Sequence, residues 1–314
     1  SVVLADGIRP ATIVIRDGRI DAVRAHDSND SALDAGDLVV LPGLVDTHVH
    51  VNEPGRTDWE GFAHATRGAA AGGVTTIVDM PLNAVPATTT LAGLAAKIGA
   101  AEGQCHVDVA FWGGVVPGNA AELEPLARRG VRGFKCFLSP SGVDEFAPVT
   151  EADLHDALPI LARLELPLLV HAELPAALRD VDPAADPRAY ATWLASRPAA
   201  AEHDAIELVV RLARRYGARV HVVHLASAGA VPALRAARAD GVRVTVETCP
   251  HYLSFAAERI PDGATACKCA PPIREGRHQD ALWQALVDGD IDLVASDHSP
   301  SPPALKHLAR RPRD

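Results

Sequence analysis

The chain has 314 residues, is 48% hydrophobic and carries a formal net charge of -10, so it has material for a large core, and no apolar run reaches the ~20 uncharged residues of a membrane span. The excess of acidic residues argues against nucleic acid or an anionic membrane as partner, because both bind to basic patches on a protein. The basic cluster of Arg310, Arg311 and Arg313 lies in the extreme tail. Five cysteines, an odd number, and an opening without a signal-peptide pattern predict a reducing, cytoplasmic location.

The first 40 residues predict a small β-domain. Two short β-type runs flank Asp17-Gly18 within Thr12 to Ile20, a pattern typical of a tight hairpin. The polar stretch 25–31 predicts an exposed turn. We therefore assign residues 1–40 to a partial β-domain and 41–314 to a second domain.

From residue 41 onward, short runs rich in Val, Leu or Ile alternate with helix-like stretches rich in Ala, Leu and Arg. The eight candidate strands cover residues 41–51, 74–80, 107–116, 131–138, 166–172, 219–226, 242–248 and 291–296. Eight βα units over ~250 residues predict an α/β fold of the TIM type, a (β/α)₈ barrel. An open doubly wound sheet is the rival, but no Gly-rich phosphate fingerprint follows the first strand.

Residues able to bind a metal stand at the ends of five of these runs. His48 and His50 lie two apart, so on a strand both imidazoles face the same side. The other candidates end later runs: Lys135, His171, His224 and Asp297. Taken singly, HxH is compatible with a polar strand end, each later histidine with a core residue, and Lys135 with a carboxylate partner. Together they predict a metal site, because a barrel brings strand ends to one centre.

Two nearby features fit structural roles better. Strand alternation turns His221, three residues before His224, toward the helices. Cys267 and Cys269 are too closely spaced for a CxxC metal or redox motif, so we interpret them as plain thiols.

These residues carry a family resemblance over nearly the whole chain. The sequence resembles the amidohydrolase superfamily, in its cyclic-amidase branch of dihydroorotases, hydantoinases and allantoinases, through the motifs at 42–50, 133–135, 170–171, 221–224 and 296–298. Within the branch it is most similar to allantoinases, through the motifs at 51–62, 79–83, 134–139, 247–253 and 268–274.

The resemblance implies a binuclear site. His48 and His50 would hold one divalent ion with Asp297, and His171 and His224 the second. Lys135, carboxylated on its side-chain nitrogen, would bridge both, because a carbamate offers each ion an anionic oxygen where an ammonium would repel them. Zinc is the expected metal, with cobalt, manganese and iron as alternatives.

The implied reaction is hydrolysis of the ring amide of allantoin to allantoate. A metal-bridging hydroxide would attack the carbonyl carbon, and Asp297 would carry its proton to the leaving nitrogen. Hydantoinase, dihydropyrimidinase and dihydroorotase activities are the alternatives. The stretch Val51-Asn52-Glu53 lacks the arginine with which dihydroorotases commonly bind a substrate carboxylate, which favours an uncharged cyclic ureide.

Four residues are candidates for substrate contact. Asn52 offers both a donor and an acceptor to a ureide. Asn83 and the backbone of Cys269 and Ala270 are further candidates, although Asn83 is equally compatible with a turn cap and 269–272 with a stiffened loop.

The resemblance also makes the end of the chain informative. Relatives continue further, so we expect the last barrel helix and the C-terminal part of the β-domain to be missing, which would uncover an apolar face. An inactive truncated fragment or a non-catalytic partner subunit is therefore the non-enzymatic alternative. The intact relatives imply a homotetramer.

Overall fold

A computed structural model describes residues 1–26 and 33–306 of the chain. Its contacts divide the chain into a unit of Ser1–Val45 and a second unit that begins at Asp46. Among the described residues, no helix is both long and apolar enough to span a bilayer. Most of the turn predicted at 25–31 and the predicted basic cluster at 310–313 lie outside the described residues.

The N-terminal unit consists of short antiparallel pairs. Its strands are β1 (Val2–Leu4), β2 (Gly7–Arg9), β3 (Ala11–Arg16) and β4 (Arg19–Ala25). β3 and β4 form the predicted hairpin, and Asp17 and Gly18 both take a positive φ, 51° and 72°. Glycine adopts this conformation at no steric cost and aspartate tolerates it, which explains why this dipeptide makes the turn.

The remaining chain alternates strands and helices. The strands are β5 (Leu44–Val49), β6 (Val74–Asp79), β7 (Asp108–Phe111), β8 (Gly113–Gly114), β9 (Phe134–Phe137), β10 (Leu168–His171), β11 (Val220–Val222), β12 (Val244–Thr248) and β13 (Leu293–Val294). The helices are α1 (Phe62–Ala71), α2 (Leu91–Ala101), α3 (Ala120–Arg128), α4 (Glu151–Leu164), α5 (Tyr190–Ser196), α6 (Ala199–Tyr216), α7 (Val231–Ala239), α8 (Pro250–Ser254) and α9 (Gly276–Val287).

The strands pair in chain order around a ring. β5, β6 and β7 form one sheet, and β8 to β13 form a second in consecutive order. A parallel bridge between Val49 and His298 joins the last strand end to the first, with the His50 amide donating to the His298 carbonyl at 2.7 Å. The predicted TIM-type barrel is confirmed.

The third predicted strand is divided into β7 and β8 at Trp112. A Cβ at Gly113 would lie 2.7 Å from the Phe134 ring, and one at Gly114 would lie 2.5 Å from Phe146. Only glycine permits this close approach, and a strand of glycines has no side chains to stabilise regular pairing. The break therefore reflects tight packing that hydrophobic periodicity does not encode.

The main core lies between the barrel and its helices. α4 begins with a capping box between Thr150 and Asp153, and its Leu154, Leu158 and Leu161 are fully buried at a helical spacing. Each buried leucine stabilises the fold by roughly 1.5–3 kcal/mol. This packing fixes the strands whose ends carry the site.

Beyond β13, the described chain ends with one 3₁₀ turn at Pro303–Lys306. The side chains of Trp283 and Val287 on α9 and of Val294 on β13 are exposed. Apolar side chains of α9 and β13 are thus accessible to solvent in the described part of the chain.

Candidate metal and substrate site

The predicted ligands come from strands all around the ring. His48 lies on β5 and His50 directly follows it, Lys135 lies on β9, and His171 ends β10. His224 and Asp297 follow β11 and β13, each with a positive φ, 42° and 49°. All are buried except the Asp297 side chain, which is 20% exposed. Parallel strands place these side chains at the carboxyl end of the barrel.

His48, His50 and Asp297 form the first group. Nε2 of His48 lies 3.1 Å and Nε2 of His50 lies 3.5 Å from Oδ1 of Asp297, and one ligand atom from each residue falls within 4.8 Å of the others. Nδ1 of His50 donates to the Leu82 carbonyl at 2.8 Å, which leaves the Nε2 lone pair facing Asp297. Acceptors that face one another require a cation between them, either a proton or a metal ion.

His171 and His224 form the second group. Nδ1 of His171 lies 3.0 Å from Nε2 of His224, while Nε2 of His171 donates to Glu173 at 2.8 Å. Burial lowers the pKa of both imidazoles, so both are neutral at pH 7. The ring centroids of His224 and His48 are 5.5 Å apart, so the two groups adjoin.

Lys135 lies at the same end of the barrel, and the described residues place no ionic partner beside it. Its side chain is fully buried, and Nζ has no hydrogen-bond partner among the described residues. Burial lowers its pKa to about 8 although Asp297 and Glu247 favour the charge. A structural ion pair, the alternative interpretation of this lysine, is absent from the described part of the structure.

Two carboxylates that the sequence analysis did not assign to the site orient these histidines. Glu247 on β12 accepts from Nδ1 of His48, and its other oxygen accepts from Nε2 of His221 at 3.0 Å. Glu173 accepts a hydrogen bond from His171, and Nη2 of Arg197 donates to the same glutamate at 2.5 Å. Burial opposes both charges, but these partners lower the pKa of each glutamate to about 2.

The prediction that His221 faces the helices is wrong. His221 is paired in register with Thr245, and its ring bonds Thr245 and Glu247, which reaches His48 inside the barrel. β11 ends at Val222, and His224 has a left-handed backbone conformation. Its side chain therefore points to the face opposite the one that strand alternation predicts. Both histidines therefore lie on the interior side.

A sequence signal for Glu247 does exist. Thr245 and Glu247 are polar residues two apart within the apolar run Val244–Thr248, so both face the interior. Glu173 likewise stands two residues after His171. Acidic residues on the ligand-bearing face of a strand mark the partners of metal-binding histidines.

A cavity of about 670 Å³ opens above these ligands. Of the predicted substrate contacts, Asn83, Cys269 and Ala270 line it. Asn52 does not line it; its side chain is buried, its amide nitrogen donates to the Pro300 carbonyl, and its oxygen accepts from Asn83 at 2.9 Å. Further lining residues are Trp59, Phe137, Pro140–Val143, His251, Phe255 and Lys268.

A buried ion pair supports the loop that follows His50. Oδ1 of Asp79 accepts from the Val51 amide at 2.8 Å, and Oδ2 accepts from Nζ of Lys97 at 2.5 Å. Asp79 and Lys97 are fully buried, and Lys97 also donates to the Met80 carbonyl. The pair thus ties α2 and β6 to the backbone beside the first ligands.

Known proteins share this arrangement of elements. Residues 39–309 match the model of the amidohydrolase family. The chain is 54% identical to an allantoinase of Streptomyces avermitilis over 97% of its own length and 69% of the relative's. It is 51% identical to a mitochondrial allantoinase of Aquarana catesbeiana, of which it spans 64%.

Among solved structures, the L-hydantoinase (dihydropyrimidinase) of Arthrobacter aurescens superposes with a TM-score of 0.85 at 30% identity, covering 97% of this chain and 69% of that one. The predicted family is confirmed. A divalent-metal cofactor and a small-molecule substrate accord with that family and with the ligand group at Asp297. The chain belongs to the amidohydrolase family.

Proposed function

We propose that this chain hydrolyses the ring amide of allantoin to give allantoate. The observation that carries the proposal is the convergence of His48, His50 and Asp297 beside His171 and His224, under a cavity at the carboxyl end of the barrel. Relatives named allantoinase at 54% and 51% identity support this substrate over other cyclic amides. Because the chain spans 60–69% of the length of three allantoinases that it matches, the activity is proposed for the residues present.

The donor set fits two divalent ions, with zinc proposed first. Imidazole and carboxylate ligands suit zinc, cobalt, manganese and iron. We propose that His48, His50 and Asp297 hold one ion, that His171 and His224 hold the other, and that Lys135 is carboxylated and serves both. The lowered pKa of Lys135 supports this modification, since a neutral amine is the form that adds carbon dioxide. Bound there, the ions would activate water and polarise the substrate carbonyl.

Asp297 is the proposed proton carrier. Although burial opposes its charge, His48 and His50 hold the pKa of this carboxyl well below its usual range, so it is an anion able to accept a proton. It borders the cavity, where substrate reaches it. During hydrolysis the water oxygen bonds the ring carbonyl carbon and the carbon–nitrogen bond breaks. Asp297 moves the water proton to the departing nitrogen.

The pairing of Arg56 supports an uncharged ring as substrate. The nearby Arg56 is not available to bind a substrate carboxylate as a dihydroorotase arginine does, because it is paired with Glu145 at 3.1 Å. Asn83, Cys269 and Ala270 border the cavity with amide and backbone groups suited to a ureide. A hydantoin remains the second candidate, since solved relatives carry that name.

The test is hydrolysis of allantoin, a hydantoin and dihydroorotate by the purified chain, reconstituted with zinc or manganese and bicarbonate. Turnover of allantoin alone supports the proposal. His50→Ala should abolish it, whereas His64→Ala, which changes an exposed side chain of α1, should not. Absence of turnover in a folded sample that holds two ions per chain would contradict the proposed enzymatic activity and favour a non-catalytic role. Homotetrameric assembly and a cytoplasmic location stay predictions.

A further inference from the structure

Arg56 joins three loops at the mouth of the cavity. The first loop, residues 50–61, follows β5; the second, 80–90, follows β6; the third, 138–150, follows β9. Nη1 of Arg56 donates to the Asn83 carbonyl at 2.5 Å, in the second loop. Nη2 donates to both carboxylate oxygens of Glu145, in the third loop, at 3.1 and 3.3 Å.

Each loop tied by Arg56 contributes to the cavity wall. Trp59 belongs to the first loop and lies beneath the guanidinium, whose Cζ is 5.4 Å from the ring centroid. Asn83 belongs to the second, and Pro140–Val143 to the third. Arg56 itself does not line the cavity. It therefore acts on the walls and not on the ligand.

The third loop has apolar anchors on both sides of Glu145. Phe146 is fully buried and packs edge-on against Phe137, with centroids 5.9 Å apart. On the other side, Val143 is partly buried against the cluster that contains Leu82, and Oγ of Ser141 donates to the Phe146 carbonyl at 2.6 Å. Arg56 adds to this apolar packing a polar link from Glu145 to the other two loops.

We propose that Arg56 is a positioning residue for substrate binding, which holds the loops of Trp59, Asn83 and Pro140–Val143 in the arrangement that fits the ring. A guanidinium suits this role because its planar fork reaches two acceptors in different directions, whereas an ammonium is a single point of charge. The Arg56 and Glu145 side chains are 22% and 34% exposed, so solvent partly screens the charges of this pair. The identity of the substrate rests on the proposed function, whereas the contacts of Arg56 with the three loops do not.

The test compares Arg56→Met and Glu145→Gln with Arg163→Met, which removes the 2.9 Å pair with Glu124 between α4 and α3, away from the cavity. Hydrogen–deuterium exchange is measured on the metal-loaded chain. We expect faster exchange at 138–147 in both loop variants and at 81–86 in Arg56→Met only. The double variant should exchange like Arg56→Met at 138–147, because the two changes remove one interaction.

The second measurement is steady-state kinetics with allantoin, in which KM and kcat should respond differently. Loss of the three hydrogen bonds that Arg56 donates should raise KM about three- to tenfold in Arg56→Met, with kcat changed less than about twofold and metal content unchanged. Exchange and KM equal to those of Arg163→Met would overturn the proposal. An unsubstituted chain that lacks turnover would contradict the proposed function instead, while the exchange experiment would still decide the role of Arg56.

Discussion

Glu247 holds His48 from the side opposite Asp297. Nδ1 of His48 donates to Glu247, so Nε2 of the same ring faces Asp297 at 3.1 Å. The same carboxylate accepts from the backbone amide of His224 at 3.3 Å. One buried side chain thus sets the direction of ligands from both proposed metal positions.

Replacing Glu247 should weaken metal retention more than it weakens the fold. In Glu247→Gln, the lost orientation of His48 should reduce metal affinity roughly 10–100-fold. Metal content is measured by elemental analysis after titration with a chelator. Glu151→Gln, an exposed change on α4, serves as the control. Equal retention of metal in the two variants would show that Glu247 does not orient a ligand.

Lys135 should be required for the metal pair. Lys135→Met removes the nitrogen that we propose to be carboxylated but keeps much of the buried aliphatic volume. We expect fewer than two ions per chain and a loss of hydrolysis of more than about 100-fold. In the unsubstituted chain, carbon NMR with labelled bicarbonate should show a carbamate signal that this variant lacks. Two ions per chain in Lys135→Met would contradict the bridging role.

The buried pair of Asp79 and Lys97 should be costly to break. Lys97→Met leaves the Asp79 carboxylate buried with no cationic partner, and such a change lowers the free energy of unfolding by roughly 3–5 kcal/mol. Urea denaturation measures it. Arg163→Met, which breaks an exposed pair, should cost less than about 1 kcal/mol. Similar losses in both variants would show that burial does not decide the energy of the Asp79 pair.

Glu202 should make stability fall as the pH rises toward neutrality. Burial raises the pKa of this carboxyl to about 7, above its ordinary value of 4.5, although Arg274 opposes the shift. The folded state therefore binds the proton more tightly than the unfolded state. The resulting stabilisation is fully present below pH 4.5 and is lost as the pH rises through 7.

Chemical denaturation at pH 5 and pH 8 checks this sign. Relative to Glu202→Gln, the unsubstituted chain should lose roughly 1–3 kcal/mol between the two values. Glu207→Gln, an exposed change on the same helix, should follow the unsubstituted chain. A loss that persists in Glu202→Gln would assign the pH dependence to other groups.

The sequence by itself determined the order of strands and helices and the residues able to bind metal. Hydrophobic runs of strand length separated by helical stretches predict βα units, and a ligand at the end of a run such as Leu168–His171 marks the carboxyl edge. These signals are local, because they depend on the periodicity of neighbouring residues. The hairpin at Asp17-Gly18 is predictable for the same reason.

Only the tertiary structure decided which groups meet across the barrel. Glu247 and His48 are 199 residues apart, and no periodicity records that they share a hydrogen bond. The alternation rule fails at His221 and His224 because the strand ends between them and the backbone turns left-handed. The contacts of Arg56 likewise depend on where three loops meet. Ligand types are a property of the residues themselves, whereas their directions and partners are set by packing between distant segments.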